Sequence, residues 1–462
     1  MKKIIKNIIL GTLVVFATSS CSKWLDVHPK SQITEDDQFS NENGYAEALN
    51  GVYLKMSDQG HYGSYSTFNY LDILSQYYEF NASDSRFPLT QYDYSTSEGQ
   101  AVSNSIWKAT YSEIANINNL IIHLNEVDKK MFDGDNYNLI KGEALALRAL
   151  LHFDIYRLYA PNIKLDNTTR LPYVTTVGVE PTEGIIQSEF LNKVMDDLNE
   201  ASKLLVDVDP IVGNAGAKYD DMERTSRVNY YAVQAMLAKV YANKGEKDLA
   251  YTAAKSIIDA SNVFSFATDD EINAGDLLFS NEIIFGVHNQ LLNSIQETYF
   301  SNSQLNLGIE ESHYNAIFES ESTDRRANNL FSTINVSSIN YFVLNKYKDM
   351  ESLAEYQSMV PIIRLGEMYL IAAENAPTAT ESLSLLNVLR IARGILEVSD
   401  ETLIADYIKS EYKKEMIGDG QLFYYYKKNN IIPELGNVPV ADFDESKFVL
   451  PIPDLEVELG NL

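Results

Sequence analysis

The sequence predicts a mainly α-helical protein in which paired helices form a scaffold and strands are minor. Three segments carry this prediction. Residues 142–160 place apolar side chains at helical spacing, and residues 227–260 and 365–393 each suggest two helices joined by a turn. Apolar residues three and four positions apart lie on one face of a helix, which then packs on a core. We therefore expect stacked helical hairpins and short strands, such as one at 282–287.

The first 21 residues have the order of an export signal that ends in a lipidation site. Three lysines precede an uncharged apolar run at 8–17, and small residues lead into Cys21, the chain's single cysteine. Such a run is too short to cross a hydrocarbon core, which takes about 20 residues. We predict a lipoprotein signal peptide over 1–20, acylation of Cys21 and a lipid-anchored tether over 21–40. A plain secretory peptide with an incidental cysteine is the alternative.

Residues 41–462 are predicted to form a single body. Further helices are predicted at 43–54, 105–127 and 188–205, and Pro161 should end the helix at 142–160 because proline cannot continue the hydrogen-bond ladder. Residues 57–105 are rich in Tyr, Ser, Asn and Asp, and their apolar residues show only weak periodicity. This composition predicts long loops before the helix at 105–127. Loops of that length inside a compact protein are usually functional or disordered.

The hairpin at 227–260 carries a repeat signature. Five residues fall at the relative positions of the small and large apolar residues of a tetratricopeptide repeat: Leu237, Ala238, Tyr241, Gly245 and Ala250. Gly245 would lie in the turn, and the alanines would let the two helices approach each other. The scaffold is therefore predicted to consist of tetratricopeptide-like hairpins, with a looser example at 365–393.

Charge and composition limit the classes of partner. The chain has 65 acidic and 37 basic residues, a formal net charge of −28. Nucleic acids and anionic membrane surfaces are bound by clustered Lys and Arg, so the acidity argues against both. No later stretch approaches 18 uninterrupted apolar residues, so we expect membrane contact through the N-terminal lipid only. A single cysteine allows no intramolecular disulfide.

The sequence contains no motif for a known reaction. HExxH, a Walker loop, GxGxxG after a strand and GxSxG are all missing, and the six histidines lack the spacing of metal ligands. His152 lies on a strongly apolar helix, where we expect a hydrogen-bonded core histidine. We therefore predict no catalytic residue, no metal site and no cofactor. With 65 acidic residues, a carboxylate pair at glycosidase spacing remains open.

The Tyr-rich stretch at 61–94 is the best candidate binding surface. Its tyrosines and phenylalanines alternate with hydrogen-bonding side chains, among them Asn81, Asp84, Arg86 and Gln91. Sugars pack their C–H faces on aromatic rings and form directed hydrogen bonds, and Tyr, Ser and Asn also suit adaptable binding loops. For Tyr70 and Tyr77 we favour the alternative of an amphipathic helix packed on the core. For residues 81–92, binding and ordinary surface remain equal alternatives.

Two arginine clusters are predicted to be structural. Arg325 and Arg326 follow Asp324, which favours a capped helix start with local ion pairs over an anion site. A second set, which lies among Glu367 and Glu374, should form ion pairs inside the protein across helices: Arg364, Arg390 and Arg393.

Short motifs also follow one another in a specific order. They are CSKWLD at 21–26, the residues Trp107, Tyr111, Ile114 and Asn118, EALALRAL at 143–150, LPYV at 171–174, NEIIF at 281–285, DRR at 324–326, KYKD at 346–349, IRLGEMYLIAAE at 363–374, NVLRIAR at 387–393 and LPIP at 450–453. The ordered set resembles the SusD/RagB-like nutrient-binding lipoproteins of the outer membrane. The resemblance spans roughly residues 21–459.

One segment departs from the family pattern. Where the family usually has ERxxELxxEGxRxxDLxR, this chain has EYKKEMIGDGQLFYYYKK from Glu411. The departure concerns the scaffold, so it leaves the expected fold intact and weakens any transfer of ligand identity.

The resemblance implies a non-enzymatic lipoprotein on the outer membrane, facing the cell exterior. It implies a helical-hairpin scaffold with loop-rich insertions near 57–105 and 288–320. Such a protein captures an oligosaccharide and passes it to a SusC-like TonB-dependent transporter barrel. A peptide-binding member of the same family is the alternative, and a surface glycosidase or a helical-repeat scaffold are further alternatives.

The resemblance also indicates where a ligand would bind. The family's flanking motifs place the binding loops at about 81–94 and 288–314. There we expect four aromatic platforms, Phe87, Tyr92, Tyr299 and Phe300, and three polar contacts, Asn81, Arg86 and Gln91.

Overall fold

The computed structural model is mainly α-helical, as the sequence predicts. It describes residues 34–213, 224–301, 305–319, 321–348, 358–433 and 443–460. The predicted signal peptide, Cys21 and most of the predicted tether lie outside the described residues. None of the helices within these ranges combines the length and the hydrophobicity of a membrane span.

The helices and strands are named here in chain order. The helices are α1 (Glu35–Gln38), α2 (Glu42–Met56), α3 (Tyr70–Leu74), α4 (Phe87–Thr90), α5 (Ser97–Glu126), α6 (Asn136–Tyr159), α7 (Gln187–Leu205), α8 (Tyr230–Lys244), α9 (Lys247–Ile258), α10 (Asp269–Asn273), α11 (Leu292–Phe300), α12 (Glu311–Phe318), α13 (Arg325–Asn329), α14 (Leu365–Glu374), α15 (Ala379–Ala392), α16 (Ile404–Glu415), α17 (Leu422–Asn429) and α18 (Asp454–Gly460). The strands are β1 (Arg170–Leu171), β2 (Ile185–Ile186), β3 (Ile283–His288), β4 (Ile309–Glu310), β5 (Phe331–Val336), β6 (Ile339–Leu344) and β7 (Met359–Arg364).

The helices predicted from periodicity are present. The segment at 43–54 lies in α2. α5 is longer than the predicted 105–127 because it begins at Ser97, where the Thr96 side chain accepts a hydrogen bond from the Gly99 N–H at 3.3 Å. This cap satisfies an N–H group that has no partner within the helix. The first turns of α5 are mostly polar, so the spacing of apolar residues does not reveal them.

α6 is the central helix, and almost all of its residues are buried. It packs against α5 and against α7, the helix predicted at 188–205. α7 approaches closely because Gly142 has no side chain: a Cβ atom there would lie 2.7 Å from Leu205 Cγ. The predicted burial of 142–160 is confirmed, and the helix ends before Pro161.

The two predicted hairpins are α8–α9 and α14–α15. Gly245 lies between α8 and α9, as predicted, in a left-handed conformation with φ +79° that glycine adopts without steric cost. Ala250 and Ala254 of α9 are fully buried, which lets neighbouring helices come close. α9 also packs against α14, so the two hairpins stack on each other.

The strands are short and pair segments that are distant in sequence. β3, the strand predicted at 282–287, pairs antiparallel with β7, with Ile283 opposite Arg364. β1 pairs with β2, while β5, β6 and β4 form a three-stranded sheet with β6 in the middle. This sheet positions Glu310, the last residue of β4, beside the loops described below.

Arg326 belongs to a capped helix start, as predicted. Asp324 Oδ1 accepts a hydrogen bond from the backbone N–H of Arg326 at 2.9 Å, and Asp324 Oδ2 accepts from Arg326 Nη2 at 2.7 Å. Arg326 also reaches Glu415 on α16 at 3.1 Å, and Arg325 pairs with Asp269 at 2.6 Å. Both arginines are therefore bound to carboxylates of the protein itself.

The second arginine set pairs inside the protein across helices, as predicted, and its partners are other carboxylates than Glu367 and Glu374. Glu415 Oε1 on α16 lies 2.9 Å from Arg364 Nη1 and 2.6 Å from Arg393 Nη2. Glu367 and Glu374 pair with lysines instead. Arg364 ends β7 and Arg393 follows α15, so both side chains meet α16, whose carboxylates come from the segment that departs from the family pattern. Further pairs of this network are Arg390–Glu411, Arg393–Glu282 and Arg364–Asp419.

Candidate functional site

The structure brings the two predicted loop regions together. Arg86 Nη1 donates to the backbone oxygen of Asn306 at 3.2 Å, across 220 positions of sequence. A second contact places His313 Nε2 at 3.1 Å from Glu79 Oε1. We use the term two-loop surface for residues 79–87, 299–301 and 305–313, together with Gln59 and Tyr65.

Arg86 is held in place by three neighbours. Its Nε and Nη2 atoms donate to Asp84 Oδ1 and Oδ2 at 2.9 Å and 2.8 Å, which is a bidentate pair. Nη1 also donates to the side-chain oxygen of Asn306. The guanidinium carbon lies 4.3 Å from the centre of the Phe80 ring, a cation–π distance. Hydrogen bonds from the Arg86 side chain hold the pKa of Asp84 below its usual value.

Tyr299 is a half-buried ring that is fixed by both its edge and its hydroxyl. The hydroxyl accepts a hydrogen bond from Gln59 Nε2 at 3.0 Å, and the ring packs edge-on against Phe68 with 5.9 Å between centroids. Tyr65 is half-buried nearby, and burial, followed by the effects of Tyr299 and Glu98, raises its pKa. Two partly exposed tyrosine rings therefore lie on this surface.

Phe87 and Asn81 also lie on the two-loop surface. Phe87 is half-buried at the start of α4, and its backbone N–H donates to the Asp84 oxygen at 3.1 Å. Asn81 is exposed, and Phe80 is half-buried beneath Arg86. Both predicted residues therefore have surface that a ligand could contact.

Tyr92 and Phe300 face the core instead. Tyr92 is 4% exposed, packs against Phe443 and donates its hydroxyl hydrogen to the Leu74 oxygen at 2.7 Å. Phe300 is 2% exposed and packs against Phe68 with 5.4 Å between ring centroids. Neither ring has an open face for a sugar, and this burial corrects the prediction that they are platforms.

Gln91 is half-buried and lies beside the C-terminal segment. Its Nε2 donates to Thr90 Oγ1 at 3.3 Å, and its backbone oxygen accepts from Lys447 Nζ at 3.4 Å. Gln91 therefore contacts Thr90 and Lys447, and none of these contacts involves Arg86. A role for Gln91 in ligand contact stays a prediction.

Three ring residues that were predicted to pack in the core do so. Tyr70 and Tyr77 are both buried, and Tyr70 begins α3. His152 is fully buried, with Nδ1 donating to the Arg148 oxygen and Nε2 accepting from the Val174 N–H, both at 2.9 Å. Burial lowers the pKa of His152 to about 3, so its imidazole is neutral at ordinary pH.

A pair of carboxyl groups lies where the two loops meet. The side chains of Glu79 and Glu310 lie side by side, and burial, followed by the contact with Glu310, raises the pKa of Glu79 to about 7. Two carboxylates in contact repel each other, so Glu79 keeps its proton to a higher pH than an ordinary glutamate does. Glycosidase carboxyl groups are roughly 5–9.5 Å apart, with the sugar between them. The Glu79–Glu310 geometry does not fit such a pair.

Two cavities lie away from the two-loop surface. One of about 570 Å³ is lined by Ala373, Ile404 and Tyr425, and another of about 580 Å³ lies beside Tyr94 and Pro451. Within the described ranges, no group of three or more His, Cys, Asp or Glu side chains is arranged to hold a metal ion. We place the candidate site at the two-loop surface because rings and hydrogen-bonding groups from two loops converge there.

Several residues of this surface were missed by sequence reasoning. Gln59, Asn306 and the Glu79–Glu310 pair belong to no motif, and their contacts cross long stretches of sequence. Tyr65 and Phe80 belong to the Tyr-rich stretch, but its composition alone does not show which of its rings stay at the surface.

Comparison with known proteins supports the fold and the family. Residues 23–242 match a family of SusD-like proteins described as starch-binding and associating with the outer membrane. A SusD superfamily protein from Bacteroides thetaiotaomicron superposes with a TM-score of 0.73 at 23% identity, covering 93% of this chain and 98% of its own. The chain is therefore similar in sequence to SusD-like proteins over residues 23–242, and it shares their fold. No sequence among the curated proteins matches it significantly.

Two further structures share the SusD-like fold. A putative sugar binding protein from Bacteroides vulgatus has a TM-score of 0.72 at 21% identity, over 91% of this chain and 97% of its own. A SusD-like carbohydrate binding protein from the same organism has a TM-score of 0.73 at 18% identity, with the same coverage. At these identities the likeness shows the fold alone.

Proposed function

We propose that this SusD-like chain is a cell-surface binding lipoprotein that captures an oligosaccharide at the two-loop surface. It then passes the oligosaccharide to a SusC-like TonB-dependent transporter. The description of the family as starch-binding and associating with the outer membrane supports the ligand class and the location. Two structural relatives, a putative sugar binding protein and a SusD-like carbohydrate binding protein, support the ligand class further.

The observation that carries this proposal is the convergence of rings and polar groups from two distant loops. Tyr299, Tyr65 and Phe87 are partly exposed rings, and Asn81 is an exposed amide between them in sequence. Arg86 fixes one loop against the other through Asn306. Partly exposed rings with directed hydrogen-bonding groups suit the alternating C–H and hydroxyl faces of a sugar.

A peptide is the alternative ligand, because Tyr and Asn also serve adaptable protein-binding loops. The enzyme alternative is weaker, since the carboxyl pair on this surface is in direct contact. A helical-repeat scaffold would use a hairpin groove instead of the two-loop surface. A screen of glycans and peptides against the chain without residues 1–21 separates these alternatives.

Removing a ring from the two-loop surface should weaken binding of any ligand found in that screen. Tyr299→Ala and Phe87→Ala should each lower its affinity about 3- to 10-fold, because a stacked ring contributes on the order of 1 kcal/mol. Isothermal titration calorimetry with the purified variants measures this effect. Tyr251→Ala, on the scaffold helix α9, is the matched control and should leave the affinity unchanged.

Each result of the screen has a distinct meaning. Unchanged affinity in both ring variants would show that the two-loop surface is not the site. Peptide hits without glycan hits would favour the peptide alternative. Appearance of cleaved sugar products would establish a glycosidase, and a protein partner bound only through a hairpin groove would establish a scaffold.

The anchor and the transporter are tested together in cells. We propose that residues 1–20 are removed, that Cys21 carries lipid and that residues 41–462 act as one body. The tagged chain purified from outer membranes should carry a metabolically incorporated fatty acid and co-purify with a large β-barrel. Cys21→Ala should lose the fatty acid label. Retention of the label in that variant would place the lipid elsewhere, and purification without a barrel would count against the transporter.

A further inference from the structure

The two-loop surface contains an acidic contact that the proposed function leaves unused. Glu79 lies on one loop and Glu310 on the other, and their side chains lie close enough to interact. His313 Nε2 lies 3.1 Å from Glu79 Oε1, and the Ser312 hydroxyl donates to Glu310 Oε1 at 3.3 Å. The Glu79 side chain is 30% exposed, so the pair is within reach of a molecule on this surface.

The positive charge on this surface is already neutralised. Both carboxylate oxygens of Asp84 accept from Arg86, and Asn306 occupies the remaining Nη1 group. An arginine that binds an anionic ligand would need those donors for the ligand. Around the pair, the local charge is therefore negative.

We propose that the Glu79–Glu310 pair makes the two-loop surface selective for uncharged oligosaccharides by repelling anionic ones, such as those that carry uronic acid or sulfate groups. This inference rests on the proposed function, since it assumes that a glycan binds there. A carboxylate or sulfate beside the pair meets a like charge in a partly desolvated place, which costs binding free energy. An uncharged sugar meets no such repulsion.

The selectivity should increase with pH. Burial, followed by the contact with Glu310, raises the pKa of Glu79 to about 7, so Glu79 gains its negative charge as the pH rises through that value. The other titratable groups around the pair are His313 and Glu311 on α12, Tyr341 on β6, and Asp84 and Arg86 on the Glu79 loop. Burial lowers the pKa of His313 and raises that of Tyr341.

The test compares uncharged and anionic oligosaccharides of matched length. Maltohexaose, cellohexaose and xylohexaose are titrated beside hexagalacturonate and a heparin hexasaccharide, at pH 6 and pH 8. We expect at least one uncharged glycan to bind about tenfold or more tightly than either anionic one, with a larger ratio at pH 8. In the double variant Glu79→Gln and Glu310→Gln that ratio should fall about tenfold.

A neighbouring acid provides the matched control. Glu311→Gln removes the same charge one residue from Glu310, but its carboxylate accepts from Asn340 and is outside the pair. The ratio should change more in Glu310→Gln than in Glu311→Gln. Equal changes, or anionic glycans that bind as tightly as uncharged ones, would overturn this inference while leaving the proposed function standing. If no oligosaccharide of either kind binds, the proposed function fails and this inference fails with it.

Discussion

Replacing Glu415 by glutamine should lower the free energy of unfolding by about 3–5 kcal/mol, which is typical when one partner is removed from a buried ion network. Glu415 is buried and lies within 3.1 Å of Arg326, Arg364 and Arg393. The variant would leave these arginines in the interior with less compensating charge. Urea denaturation at pH 7 measures the loss.

The pH dependence of this loss follows from the charge of Glu415. Burial alone would raise its pKa, but Arg393 and Arg364 outweigh burial and hold the pKa far below its ordinary value. The ionised carboxylate therefore contributes stability at pH values above about 4.5, and this contribution disappears as the pH falls through the lowered pKa. The difference between wild type and Glu415→Gln should shrink in acid.

An exposed ion pair provides the control for Glu415. Asp259 is 62% exposed and pairs with Lys255 four residues earlier. Asp259→Asn should change stability by less than about 1 kcal/mol, because exposed pairs contribute little. A Glu415→Gln protein as stable as this control would show that the buried network adds no net stability.

Replacing Glu113 by glutamine should change the free energy of unfolding more favourably at pH 8 than at pH 5. The difference between variant and wild type should rise by on the order of 3 kcal/mol between these two pH values. Glu113 is buried on α5, and its Oε2 atom lies 3.7 Å from Nδ1 of buried His61. Neither atom has a hydrogen-bond partner among the described residues. Burial, followed by the charge of Asp58, raises the pKa of Glu113 to about 9, and burial lowers that of His61 to about 4.

The sign of this effect follows from proton binding. Between about pH 4.5 and pH 9 the folded protein keeps a proton on Glu113 that the unfolded chain releases, so wild type loses stability as the pH rises. Glutamine has no proton to lose and fits the same space. Thermal unfolding from pH 5 to pH 8 should show the two curves diverging. Glu126→Gln, an exposed position on the same helix, should follow wild type, and parallel curves for Glu113→Gln would contradict the prediction.

The sequence by itself determined the helical scaffold and the two regions that carry the candidate site. Periodicity locates α6 and the hairpins because each helix face depends on residues three and four positions apart. The ordered motifs locate both loops because the motifs lie on the helices and strands that flank each loop. The turn at Gly245 and the cap at Asp324 are equally local, and the structure confirms both.

Only the tertiary structure decided which side chains of the loops are exposed and can contact a ligand. Tyr92 and Phe87 are five positions apart in a stretch of uniform composition, yet Phe443 helps to bury Tyr92 while Phe87 keeps an exposed part. Glu415 rather than Glu367 or Glu374 pairs with Arg364 for the same reason. Exposure and ion pairing depend on contacts between segments that are far apart in sequence, 51 residues for Arg364 and Glu415, and local sequence patterns carry no record of such contacts. Periodicity therefore predicted the scaffold, while long-range packing selected the surface.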